Sequence, residues 1–350
     1  MRLLTMLCAL ALLNCVTDTA LARSPTRATY SNPVLDADFP DPTVIRAPDG
    51  FYYAYGTQSQ RNERWINIQV ARSRDLVHWH QLADALPTKP NWASTTQDFW
   101  APHVQRAGKR FIMYFSAKPN GTDDEHGLCL GVATGSSPAG PFVDVGHPLK
   151  CGKGFVNIDP MAFDDPATGK HLLYWGSGFE PIRVQELAPD RLSFARGSKP
   201  IELVWPSRVK DAFPVLIEGS WVIRHGRFYY LFYSGDNCCG PKANYAVMVA
   251  RSRSATGPFT TLEQATGAPH SIVLQKSRRW IAPGHNSIVT DAAGQDWIVY
   301  HAVDAGRPRE QGSDELNTRR ILLIDRIRWR NGWPTIAGPS EQPRQAPLTR

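Results

Sequence analysis

Phe111-Ile-Met-Tyr-Phe-Ser-Ala117 is a run of aromatic and aliphatic residues, and the turn-forming Ala107-Gly108-Lys109 comes just before it. Such a run after such a turn reads as the second arm of a β-hairpin. The same shape returns at Phe51-Tyr-Tyr-Ala-Tyr-Gly-Thr57, His171-Leu-Leu-Tyr-Trp-Gly-Ser177, Tyr229-Tyr-Leu-Phe-Tyr-Ser-Gly235 and Asp296-Trp-Ile-Val-Tyr-His-Ala302. Each has its own turn signal: Ala47-Pro48-Asp49-Gly50, Pro166-Ala167-Thr168-Gly169, His225-Gly226-Arg227 and Ala292-Ala293-Gly294. Aligned on Tyr55, Phe115, Trp175, Tyr233 and Tyr300, the five runs lie about 60 residues apart. A third strand follows each, at residues 67–72, 130–134, 182–186, 246–251 and 320–324, and Trp79, Phe142 and Phe259 mark a fourth in three units. Four strands per unit at this period is the signature of propeller blades.

The expected fold is therefore all-β, a five-bladed β-propeller, with a large β-sandwich of evenly spaced strands as the other reading. Composition agrees: 42% of residues are hydrophobic, enough for a core, while 28 prolines and 27 glycines argue against long helices. Five such units occupy nearly the whole chain, so residues 23–350 are expected to form a single propeller domain. The Pro-rich tail after Gly338 reads as a loose end.

Met1-Arg2, the apolar run from Leu3 to Val16 and the small residues Ala20-Leu21-Ala22 form the pattern of a cleavable secretory signal over residues 1–22. A competing reading, lipid attachment at Cys15, is disfavoured by Asn14 before it. The run is too short to span a bilayer and nothing later approaches about 18 apolar residues, so no membrane partner is expected after signal cleavage. The mature protein is expected to be secreted or periplasmic. It keeps Cys129, Cys151, Cys238 and Cys239, an even set that suits an oxidising compartment. Cys129 with Cys151 is the favoured pairing, because adjacent cysteines hold their Cα atoms closer than ordinary bridge geometry prefers. With no Cys-x-x-Cys pair, a metal site is the weaker reading of these residues. The formal charge of +7 comes from scattered Lys and Arg, so no nucleic-acid partner is expected. A weak attraction to acidic cell-wall polysaccharide is the more natural consequence.

Counting back from each aligned aromatic to the first arm of its hairpin lands on Asp41, Asp159, Glu218 and His285, while the second unit holds Ala101-Pro102-His103 in that slot. The first strand of a blade lines the central channel, so three carboxylates and a histidine are expected to converge at one mouth of it. Phe39-Pro40-Asp41-Pro42, Asn157-Ile158-Asp159-Pro160-Met161 and Val215-Leu216-Ile217-Glu218-Gly219 surround each acid with apolar or proline-rich chain. Burial and like-charged neighbours raise a carboxyl pKa, which suits a general acid near neutral pH. A lone Asp-Pro is usually a turn residue, as in Asp165-Pro166, but turn chemistry gives no reason to use one slot in three units. Carboxylates around an aromatic-lined pocket are the constellation of glycoside hydrolysis, where one acid protonates the leaving oxygen and another activates water or attacks carbon. No nucleophile elbow, phosphate loop, dinucleotide fingerprint or His-Glu-x-x-His competes with it. A non-catalytic sugar-binding propeller would want aromatics in the slot but has no use for three acids.

At these residues the sequence resembles glycoside hydrolase family 43, the arabinanases, α-L-arabinofuranosidases and β-xylosidases, from about Asn32 to Pro334. Phe39-Pro40-Asp41-Pro42 is similar to the segment carrying that family's general base. Ile158-Asp159-Pro160 is similar to the segment of its third Asp, which tunes and orients the acid, and Ile217-Glu218-Gly219 to that of its general acid. Phe99-Trp100-Ala101-Pro102, Gly284-His285-Asn286 and the stretch from Arg320 to Trp329 also resemble family segments. The resemblance implies a five-bladed, inverting enzyme that cleaves α-L-arabinofuranosyl linkages in a polysaccharide or oligosaccharide, with a β-xylosidase as the alternative. Phe39, Trp100, His103, His285 and Arg320 are expected to touch substrate, with Trp280 a further candidate; many relatives have an acidic residue where His103 stands. No cofactor is required for the chemistry. His285 has two readings: a channel-lining hydrogen-bonding residue or, from similarity to arabinanases, a ligand of a structural calcium ion in the central channel that is otherwise held by water, although hard cations prefer oxygen. A related retaining family of fructan-cleaving propellers has Arg-Asp-Pro and Glu-Cys signatures, where this chain has Ile-Asp-Pro and Glu-Gly. Segments 120–126 and 235–244 are expected to wall one side of the mouth, which favours an end-acting enzyme.

Overall fold

A computed structural model describes residues 28–123, 127–209, 213–310 and 317–349; the expected signal segment and residues 124–126 of the expected wall lie outside these. Five antiparallel sheets, each with a path of four strands and two of them (blades two and four) with a short fifth strand added, form a five-bladed propeller. Blade one is Thr43–Arg46, Tyr52–Gly56, Gln69–Ser73 and Trp79–Gln81, and blade two is Phe99–Ala107, Arg110–Ala117, Cys129–Gly135 and Val143–Asp144. Blade three is Met161–Asp164, His171–Trp175, Ile182–Glu186 and Ile201–Val204. Blade four is Ile217–His225, Phe228–Gly235, Ala246–Ser252 and Thr260–Thr261, and blade five is Trp280–Thr290, Asp296–Asp304, Ile321–Arg330 and Trp333–Ile336. The five repeated runs are the second strands. The outer strands of blades three and five were not anticipated, although Asn331-Gly332, a two-residue hairpin turn, precedes the latter.

The second strands are buried almost throughout because each is sandwiched between the neighbouring blades, and their aromatic rings fill the wedge between sheets. Tyrosine suits that place, since its ring supplies apolar area and its hydroxyl can reach a carbonyl beyond it. Tyr55 donates to the Pro138 carbonyl of blade two at 2.6 Å, Tyr114 to Arg191 of blade three at 2.8 Å, Tyr174 to Ala255 of blade four at 2.6 Å and Tyr230 to Gly332 of blade five at 2.6 Å.

A second set of ties sits at the channel mouth. At the mouth each innermost strand, or the chain leading into it, carries a residue in the left-handed conformation: Asp41 (φ 57°), Ala101 (46°), Asp159 (55°), Gly219 (63°) and His285 (46°). In blades two, four and five the ladder slips register at this point, as in a β-bulge. The turn aims the residue's N–H at the preceding blade. Ala101 donates to Thr57 Oγ1 (2.8 Å), Asp159 to Ser116 Oγ (3.0 Å), His285 to Ser234 Oγ (2.8 Å), and Asp41 closes the ring on His301 Nδ1 of blade five (3.0 Å). Thr57, Ser116, Ser234 and His301 all lie just past the aligned aromatic of their blade. Blade three has Gly176 there, with no side chain to offer, and the Gly219 N–H goes instead to Asp159 Oδ2 at 2.9 Å.

Two expectations change. The tail after Gly338 is docked, because its backbone and its last strand supply partners that blade five otherwise lacks. Ser340 donates to Asp325 Oδ2 (3.1 Å) and accepts from Trp280 Nε1 (3.0 Å), Leu348 donates to Asp291 Oδ2 (3.0 Å), and Arg344–Gln345 pairs with Thr29–Tyr30. Cys129 and Cys151 are bridged as expected, being direct cross-strand partners, but Cys238 and Cys239 are bonded too. The tight loop between the second and third strands of blade four holds the two remaining sulfurs together.

Ser234→Ala would leave the buried His285 N–H without its acceptor, at a cost of about 1–3 kcal/mol. A lowered thermal unfolding midpoint is the expected result; an unchanged one would show that the N–H finds another partner.

Candidate active site

Asp41, Asp159 and Glu218 come together at one mouth of the channel, and each is held in a different way. Asp adopts the left-handed conformation more readily than most residues because its short polar side chain is satisfied locally. Asp41 Oδ2 accepts from Thr57 Oγ1 at 2.5 Å and Oδ1 from Arg320 Nη1 at 3.0 Å. His285 Nδ1 stands 3.3 Å from Asp41 Oδ1 and 3.8 Å from Asp159 Oδ2, so one imidazole lies between the two carboxylates. Burial works to raise the Asp41 pKa, but the Arg320 guanidinium, with His285, His301 and Thr57 adding to it, holds the carboxyl well below the usual range. Burial also pushes both imidazoles toward their neutral forms, so Arg320 is the counter-charge that matters. His301 accepts the Asp41 N–H at Nδ1, which puts its own proton on Nε2.

Glu218 is the opposite case. Burial drives its pKa up to about 7, with the Asp41 charge adding and a hydrogen bond from the Tyr245 hydroxyl to Oε1 (2.7 Å) opposing. Asp159 is also raised, by burial first and then by Glu218 and Asp41, so the two buried acids compete for protons as a pair. The Gly219 N–H favours the charged form of Asp159, and Glu218 has no backbone donor of that kind among the contacts described; we therefore place the working proton on Glu218. One mouth thus carries an ionised carboxylate, suited to take a proton from water, and a protonated one, suited to give a proton away.

Arg320 joins the three acids, but its guanidinium is committed to Asp41. Trp100 is partly exposed beside Ala101 and stacks on Phe155, with centroids 6.2 Å apart. Three expected contacts are corrected. Phe39 is 0% exposed; its ring packs into the core under the Asp41 turn, where Gly56 leaves room for it. His103 is buried against Trp221 of blade four (centroids 5.4 Å), and burial pushes its pKa down to about 3. Trp280 is wholly buried, covered by the Arg279 guanidinium and by the docked tail.

Four residues went unnoticed in the sequence. Thr57 and His301 occupy the slot just past the aligned aromatic, so the repeat itself held a signal for them. Asp38 accepts from the Arg320 N–H at 3.0 Å and steadies that residue. Tyr245 gave no signal at all. Its ring lies over Gly284, where a Cβ would stand 2.1 Å from Tyr245 Cδ1, so that position requires glycine. The ring also stacks parallel to His301 at 5.7 Å.

The protein groups around His285 do not by themselves fill a calcium shell, so an ion there would be held by His285 and water. A hard cation takes six to eight oxygens, whereas His285 offers one ring nitrogen to two carboxylates already engaged by Thr57, Arg320 and Gly219. Among the described residues no group of three or more His, Cys, Asp and Glu could hold a metal ion.

A propeller whose channel mouth pairs an ionised carboxylate with a protonated one is built as a glycoside hydrolase. The comparison with known proteins makes this particular: the chain belongs to glycosyl hydrolases family 43, whose defining pattern matches residues 30–334. It is 27% identical to the extracellular exo-α-(1→5)-L-arabinofuranosidase of Cellvibrio japonicus, over 85% of this chain and 86% of that protein. It is 28% identical to a β-D-galactofuranosidase of Aspergillus niger, over 88% and 84%. A thermostable family 43 glycoside hydrolase of known crystal structure superposes with a TM-score of 0.74 at 28% identity, covering 92% of this chain and all of that one.

Since Glu218 acts only when protonated, kcat/KM is expected to fall as pH rises through about 7, while Asp41 keeps the acidic limb below the usual carboxylate range. Tyr245→Phe removes the bond that favours ionised Glu218, so its alkaline limb should move upward. A pH–rate profile of both proteins checks this, and an unmoved limb in the variant would refute the assignment.

Proposed function

We propose that this enzyme is an extracellular, inverting α-L-arabinofuranosidase that removes terminal units from arabinan. The observation that carries the mechanism is the opposite protonation of Asp41 and Glu218 at one mouth. Asp41 takes a proton from a water molecule as the water oxygen attacks the anomeric carbon. Glu218 gives its proton to the glycosidic oxygen as that bond breaks, and the sugar leaves with inverted configuration. Asp159, anchored to the Gly219 N–H next to the acid, shares a coupled proton equilibrium with Glu218 and helps hold it in its protonated state.

Furanoside specificity is supported by both relatives above, one named for arabinofuranosidase and the other for galactofuranosidase activity. End-wise action is supported by the loop after blade four's second strand, which a hydrogen bond from the Gly240 N–H to Thr318 Oγ1 (2.6 Å) ties to the neighbouring loop of blade five, walling that side of the mouth. Extracellular action is supported by the two disulfides and by the named location of the Cellvibrio relative. No helix among the described residues is long and apolar enough to cross a membrane.

Loss of the general acid should depend on the leaving group. Glu218→Gln is expected to lower kcat on arabinan by roughly two to four orders of magnitude and to spare an activated aryl arabinofuranoside, while Asp41→Asn should be nearly inactive on both. Equal losses for Glu218→Gln on the two substrates would remove the acid assignment. The sugar is decided by the products from linear and branched arabinan, galactofuranosides and xylo-oligosaccharides; xylose without arabinose would overturn the substrate reading and leave the mechanism standing. Exhaustive chelation is expected to leave both activity and thermal midpoint unchanged, and a loss of either would restore a metal at His285.

A further inference from the structure

The face of the propeller that carries the acids also carries the ends of the second and fourth strands and the starts of the first and third in each blade. Of the large apolar side chains that stand exposed among the described residues, the aromatic ones are Trp65 (48% exposed), Phe179 (64%) and Trp205 (52%), and all three lie on this face. Exposed aromatic rings are costly to leave in water and commonly mark a ligand surface.

Phe179 and Trp205 belong together. Ile182 opposes Val204 in the ladder of blade three, so the chain just outside that pair brings Trp205 beside Pro181, two residues from Phe179. Gly178 in turn forms a bridge with Ile217, whose N–H donates to the Gly178 carbonyl at 2.8 Å, and the next residue is Glu218. The two rings therefore lead outward from the general acid. The Arg208 guanidinium covers one face of the Trp205 indole at 5.6 Å from its centroid, which steadies the ring.

Position in the ring says which part of a substrate would reach them. In a ring of five blades, blade one faces the boundary of blades three and four across the channel. Asp41 and its water stand at blade one, and Glu218, which protonates the leaving oxygen, stands at blade four. The leaving side of the substrate must therefore pass over the boundary where Phe179 and Trp205 stand. We propose that Phe179 and Trp205 form an aromatic subsite that stacks on the sugar rings of the departing arabinan chain, beyond the bond that is cut. This rests on the arabinan reading above and adds to it: the enzyme is built for a polymer end rather than for a small glycoside.

The test compares linear α-1,5-arabinan with an aryl α-L-arabinofuranoside, using the whole secreted protein. One stacking contact is worth about 0.5–1.5 kcal/mol, or about two- to tenfold. Phe179→Ala and Trp205→Ala should each lower kcat/KM on arabinan by about that factor relative to the aryl substrate, mostly through KM, with Trp205→Phe recovering most of the loss. Ile201→Ala, an exposed apolar residue at the far end of Trp205's own blade strand, should alter neither substrate. An unchanged ratio of the two activities in both alanine variants would overturn the subsite while leaving the arabinan reading intact. Equal losses on both substrates would also overturn it, since a subsite beyond the cut bond cannot discriminate that way. A wild-type protein inactive on both substrates would overturn the arabinan reading and the subsite together.

Discussion

The ring stands on a single repeated hydrogen bond, in which the N–H of a left-handed residue at the mouth, on each innermost strand or the chain leading into it, is accepted by the blade before it. A left-handed conformation costs a non-glycine residue about 1–2 kcal/mol, and it survives here because the turned N–H has a buried partner in every blade. Four of the five acceptors are side chains just past the aligned aromatic. The fifth is the carboxylate of Asp159, which takes over where Gly176 offers nothing. At that one junction the bond that joins two blades is also the bond that holds a catalytic carboxylate next to the acid. The scaffold and the chemistry share an atom there.

Three carboxylates gathered in a buried mouth repel one another and lose hydration, so their arrangement has to be offset by something specific. Arg320 does this for one of them only. It sits on Asp41, supported in turn by Asp38, and leaves the Asp159–Glu218 pair without a full counter-charge. The asymmetry separates the acid from the base. Tyr245 and the Gly219 N–H then divide the pair: a hydroxyl bond to one acid, a backbone bond to the other. No residue type in this site is unusual, and the division of labour comes from who touches whom.

That division is what the sequence could not display. The repeat of aromatic strands and the shared slot of Asp41, Asp159, Glu218 and His285 were legible because both are periodic along the chain. A register locates a residue along its blade; it does not say what faces it from the next one. Tyr245 stands just before the third strand of blade four, in the slot that Arg320 fills in blade five, but Ile68, Leu128 and Pro181 hold it in the other blades, so the repeat carried no common chemistry there. Phe39 and His103 were misplaced for a related reason. Each lies two residues from a left-handed residue, Asp41 or Ala101, and the turn there sends its side chain into the interior, where alternation along a regular strand would have put it at the mouth. The docked tail was missed because its partners, Asp325 and Asp291, look like ordinary strand and turn acids until the chain folds back on them.

Every blade is made from consecutive strands, so none is shared between the two ends of the chain, and the circle is shut by the pairing of Thr29–Tyr30 with Arg344–Gln345 and by the His301 bond to Asp41. This sets an order of events during biosynthesis. Each blade can form as soon as its own strands are available, but the first blade stays open on one side until nearly the last residues have emerged. Asp41 accordingly gains its last neighbours, His285, His301 and Arg320, only when blade five arrives, so the acidic mouth is assembled at the end of folding. A chain halted before blade five would hold four folded sheets in an unclosed arc, with the second strand of its outermost blade uncovered and prone to association.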